Sequence, residues 1–96
     1  MNEELFTVIN KAVNNNHGNY PWLDTKTITE EYGDNVLLEI NRIMEYMWDS
    51  AIQFGNDQSV VEFGKHCRES AREKYHLLDE ETIEILAVSN EYNYYK

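Results

Sequence analysis

Apolar residues in this chain recur at intervals of three and four far more often than they alternate, and this periodicity predicts helices. Leu5, Phe6, Val8, Ile9, Ala12 and Val13 share one face of a helix over residues 3–14. Asn2 suits its N-cap, and Glu3 and Glu4 fall in the first turn, where the helix dipole favours acids. The run Asn14-Asn15-Asn16-His17-Gly18 ends it with residues that tolerate the left-handed conformation. The longest stripe, Val36, Leu37, Ile40, Ile43, Met44, Met47, Trp48 and Ala51, predicts a central helix over 34–54, closed by Phe54-Gly55. Thr29 and Asp34 both suit its cap, and Gly33 between them favours the later start.

A third helix is predicted over 58–76, with Val60, Gly64, Cys67, Ala71, Tyr75 and Leu78 on its buried stripe. Asn56 or Asp57 can open it, and Ser59-Val60-Val61-Glu62 also has the capping-box pattern. The small residues at 64, 67 and 71 permit close approach of a neighbouring helix. Asp79 caps a short last helix over 80–89 whose inner face carries Ile83, Leu86 and Ala87. Residues 90–96 show no clean period, which leaves the order of this Tyr-rich tail open, and Thr25 to Thr29 fits either an extended piece or one helical turn. The expected fold is all-α: a small single-domain bundle of three main helices plus a short C-terminal helix.

Composition narrows the class. At 96 residues, 42% of them hydrophobic, the chain can build one core and is unsuited to disorder along its whole length. Cys67 is the only cysteine, so neither an intrachain disulfide nor a cysteine-based zinc site can form. The longest apolar run is Ile85-Leu86-Ala87-Val88 and the N-terminus is acidic, so the expectation is a cytoplasmic protein without membrane span or secretory leader.

The residues capable of chemistry are few. Glu62, His66, Glu69, Glu73 and His76 fall within an arc of roughly 80° on the third helix, opposite its apolar stripe. Glu73 and His76 have the Glu-x-x-His spacing of carboxylate-bridged metal bundles, but in those the ligands point inward from four helices. Here they face water on one helix, beside Lys65, Arg68 and Arg72 at salt-bridging offsets such as Lys65–Glu69 and Glu69–Arg72. A solvated, salt-bridged surface is the expected reading, and a metal site the disfavoured one. Cys67 and His66 are adjacent and diverge by about 100° on a helix, which excludes a thiolate–imidazole pair. No nucleophile elbow, P-loop or dinucleotide fingerprint is present. The expectation is no enzyme, no catalytic residue, no metal and no cofactor.

Charge is the strongest remaining signal. Eighteen acids against eight bases give a net charge of −10, which opposes binding to nucleic acid or anionic membranes. Four bases cluster at Lys65, Arg68, Arg72 and Lys74, yet residues 57–76 also hold four acids, and the helix that would read DNA opens Asp79-Glu80-Glu81. The excess concentrates in Asp24–Asp49, with seven acids to two bases, and in Asp79–Glu91, with five to none. Aligned carboxylates present a negative surface to a basic partner protein. The candidate partner-binding residues are therefore Glu30, Glu31, Asp34, Glu39, Glu45, Asp49, Asp79, Glu80, Glu81 and Glu84. Tyr20 and Trp22, aromatic residues flanking Pro21, join them. The expected function is a non-enzymatic inhibitor or neutraliser of the immunity, antitoxin or phage anti-defence type, imitating nucleic acid toward a basic nucleic-acid-handling protein. The alternative is a helical accessory or homo-oligomerising module (a homodimer in the simplest case) that uses the small-residue stripe of the third helix.

Overall fold

The computed structural model describes residues 3–16 and 23–95. Five helices form among them: α1 (Glu3–Asn15), α2 (Thr25–Tyr32), α3 (Asp34–Ile52), α4 (Val60–Lys74) and α5 (Glu80–Tyr95). No strand occurs among the described residues, and none of their helices is long and apolar enough to cross a membrane. The radius of gyration is 12.8 Å, close to the about 12.5 Å expected of a compact chain this long.

The all-α expectation is met, with one helix more than expected and a longer last one. Asp24 starts α2 by accepting a hydrogen bond from the Thr27 backbone N–H at 3.0 Å and from its hydroxyl at 2.7 Å. Thr25 to Thr29 is therefore helical, and Ile28 is its fully buried anchor. Gly33, at φ 94°, takes the sharp step between α2 and α3 that an L side chain resists, which confirms the later start for α3. Of the possible openings for α4, the capping box is the one used. Ser59 Oγ accepts from the Glu62 N–H at 3.1 Å, and the Glu62 carboxylate accepts from the Ser59 N–H at 3.3 Å.

The core joins Phe6, Ile9 and Val13 of α1, Ile28 of α2, Ile40, Ile43 and Met47 of α3, Phe63 and Cys67 of α4, and Ile83 and Leu86 of α5. As the length of its stripe predicts, α3 touches each of the other four helices. The last helix is neither short nor one-sided: it packs on α1, α3 and α4 and buries Thr82, Ile83, Ile85, Leu86, Ala87, Ser89 and Asn90. A helix enclosed over most of its circumference has no single apolar face, so the period the tail lacks does not mark the end of the helix.

Tyr94, in that tail, stacks on Phe63 at 4.1 Å and 8°, and meets Trp48 edge-on at 6.0 Å. Its hydroxyl donates to the carbonyls of Asn56 and Gln58 at 3.1 and 2.8 Å, tying the end of α5 to the α3–α4 connection. At the other end Asn10 of α1 holds the α4–α5 turn, accepting from the Asp79 N–H at 3.0 Å and donating to the Leu77 carbonyl at 2.9 Å.

Candidate protein-binding surface

The predicted acidic residues divide into two groups that the chain uses differently. The first lies along the seam of α4 and α5, which run antiparallel so that descending one matches ascending the other. Arg72 of α4 meets Glu80 at 2.9 Å. One turn earlier Arg68 meets Glu84 at 2.7 Å and Glu91 at 3.0 Å. The Glu84 hydrogen bonds hold the Arg68 guanidinium firmly protonated, and in return hold the Glu84 carboxyl below its usual range. The same bonding from Glu80 raises Arg72. The two arginines of α4 thus bond across to α5, not along their own helix, and the Lys65–Glu69 and Glu69–Arg72 pairs do not form among the described residues.

Asp79, predicted as a cap, is one: its carboxylate accepts from the Thr82 N–H at 2.7 Å. It also accepts from Asn14 Nδ2 of α1 at 3.1 Å, so it acts inside the fold. Of the four predicted residues from 79 to 84, only the exposed Glu81 makes no such contact among the described residues.

The second group lies on α2 and α3. Glu30 and Glu31 are exposed near the end of α2, and Asp34 is exposed at the start of α3. Glu45 and Asp49 follow on the outer face of α3, one turn apart and about 6 Å along the axis. None of these five forms an ion pair among the described residues. Glu39 does: it pairs with Arg42, three residues on. Leu38, 49% exposed, lies on the same outer face between Asp34 and Glu45 and gives the surface an apolar centre. Tyr20 and Trp22 lie outside the described residues.

The remaining candidates take structural places. Gly64, Cys67 and Ala71 are buried in the chain's own core, so the small-residue stripe is already covered. Burial also pushes the Cys67 thiol up to about 11, against a usual value of 9.0. Helix α4 ends at Lys74, which puts His76 in the following turn and off the face it was predicted to share with Glu73. Among the described residues no three His, Cys, Asp or Glu side chains converge as a metal-ion site.

Sequence reasoning missed a groove of about 290 Å³ between α3 and α4, lined by Tyr46, Ser50, Phe54, His66, Glu69 and Glu73 among others. Phe54 read as a helix terminator, yet it is 66% exposed and its ring stacks on His66 at 3.8 Å and 10°. Gln58 holds that stack. Its Nε2 donates to the carbonyls of Ala51 and Gly55 at 2.8 and 2.6 Å, which fixes the amide and turns Oε1 toward His66 Nδ1 at 2.6 Å. Because the amide oxygen can only accept, Nδ1 carries the proton in this contact. An exposed aromatic after a helix was the available signal, but nothing in the period says whether it turns inward.

No protein-family model matches this chain, and no curated protein or solved structure shows significant similarity to it.

Proposed function

We propose that the chain is a non-catalytic, acidic protein-binding domain whose α2–α3 surface docks on a basic, nucleic-acid-facing surface of its partner. Inhibition or neutralisation, in the manner of immunity proteins, antitoxins or phage anti-defence proteins, is the corresponding role. One observation carries the reading. The arginines of α4 pair with Glu80, Glu84 and Glu91 of α5, whereas Glu30, Glu31, Asp34, Glu45 and Asp49 stay exposed and unpaired among the described residues. These five carboxylates therefore give the α2–α3 surface a negative field that no ion pair among the described residues offsets. Such a field accelerates encounter with a positive surface and repels anionic competitors. Exposed Leu38 supplies apolar contact area within it.

The test compares the native chain with E30Q/E31Q/D34N/E45Q/D49N as baits. The helical circular dichroism of the variant should match the native, because each residue is exposed. The native bait should capture a basic protein in low salt and release it at about 0.5 M, where the Debye length falls to roughly 4 Å. The variant should capture at least tenfold less. Equal capture by both baits would refute the reading.

A further inference from the structure

We infer that the groove between α3 and α4 receives an arginine side chain of the partner, its guanidinium stacked on Phe54 and paired with Glu69 or Glu73. This rests on the basic-partner reading above and names a specific contact within it. Phe54 is 66% exposed but does not float: His66 covers one face of the ring, and the twice-anchored Gln58 amide holds His66. The other face is left to solvent in a fixed orientation, so a planar ligand group finds its platform already ordered.

Glu69 and Glu73 stand one helical turn apart on the α4 wall, both exposed. Neither forms an ion pair among the described residues; Glu69 lies in the field of Arg72, which Glu80 holds. Tyr46 on the α3 wall already carries a cation, Lys74 Nζ, 4.1 Å from its ring centroid. Among the described residues no Lys or Arg stands over Phe54, and its face beside the two carboxylates complements a positive, flat group. Arginine meets that description better than lysine, because guanidinium stacks on rings and bonds carboxylates in parallel pairs, whereas ammonium is a hydrated point charge.

The test is a titration of isotopically labelled protein with octa-arginine and octa-lysine peptides, followed by amide chemical shifts at low salt. Octa-arginine should perturb the amides of Phe54, Gln58, His66, Glu69 and Glu73 and bind at least fivefold tighter than octa-lysine. F54A should lose about fivefold or more of the arginine affinity, the equivalent of one exposed cation–π contact. E69Q/E73Q should lose about tenfold, and E45Q/D49N should leave the groove shifts in place. Equal affinity for the two peptides, or arginine binding unaffected by F54A, overturns the groove while leaving a basic partner for the α2–α3 surface. Absence of binding by either peptide overturns both readings together.

Discussion

Gly64 tests the α4–α5 seam most sharply. An alanine Cβ there would sit 1.8 Å from Glu91 Oε2, 2.5 Å from Glu91 Cδ and 2.6 Å from Arg68 Nη1. The φ at Gly64 is not positive, so alanine fits the backbone and contributes about 1 kcal/mol of helix propensity. The obstacle is the ion pair. Glu91 must swing out and surrender its 3.0 Å contact with Arg68, in a pair whose side chains are only 20% and 18% exposed. A hydrogen bond between charged groups is worth about 1.5–3 kcal/mol, and Arg68 stays held by Glu84, so the lower half of that range applies. G64A should therefore destabilise by about 0.5–1.2 kcal/mol, lowering the melting temperature by several degrees for a domain of this size. In an E91A background the carboxylate is gone and only the far end of the Arg68 side chain has to yield, so the same substitution should stabilise by up to about 1 kcal/mol. Urea denaturation of the four proteins, followed by circular dichroism, gives both differences. A loss of the same size in the two backgrounds would refute the reasoning.

Three further outcomes follow from the same contacts. D79A removes the α5 cap and the Asn14 anchor and should cost about 1–2 kcal/mol in urea, while D79N keeps a capping oxygen and should cost less; equal losses would mean that the cap is idle. Glu84 binds its proton less readily folded than unfolded, so the unfolded chain takes up more protons and stability rises with pH in that range. Its contribution is present above the usual value of 4.5 and is lost as the pH falls through the lower folded value. E84Q should thus flatten the acid limb of the stability curve below the usual value of 4.5, and an unchanged slope would dismiss the Arg68 contact. Cys67, pushed from 9.0 to about 11 by burial, should hold about a hundredfold less thiolate at pH 8 than an ordinary cysteine. Its reaction with a disulfide reagent should be at least that much slower before denaturation than after, and a native rate within about tenfold of the denatured one would contradict the burial.

What the pattern of residues disclosed was the part of the fold decided by one-sided burial. Helix α1 and helix α3 each hide one face, and their stripes mark them within one or two residues at each end. The Ser59–Glu62 box was legible because capping is local chemistry between residues three apart. Phe63 was overlooked because it lies beside the predicted stripe: α4 is wedged between α3 and α5 and buries a broader face than one line of small residues suggests. Helix α5 was truncated for the same reason carried further, since Ser89 and Asn90 are polar and yet enclosed. Asn90 Nδ2 is satisfied by the Met44 carbonyl at 3.0 Å, a partner 46 residues away that no local period can announce.

The charges show where local reading has to stop. By composition the acids of 79–91, five without a base, stood beside those of 24–49 as candidates for a partner. The fold separates the two, because antiparallel packing lays α4 against α5 and brings Arg72 to Glu80 and Arg68 to both Glu84 and Glu91. An acid that already shares its field with a guanidinium attracts a distant base weakly, and removing it unbalances the arginine left behind. Neutralising Glu80 and Glu84 therefore perturbs the α4–α5 seam before it perturbs any partner. On α2 and α3 no such pairing intervenes for Glu30, Glu31, Asp34, Glu45 and Asp49. The same chemical change made there leaves the core contacts untouched and alters only what the surface offers, so a loss of binding from that side alone can be read as recognition.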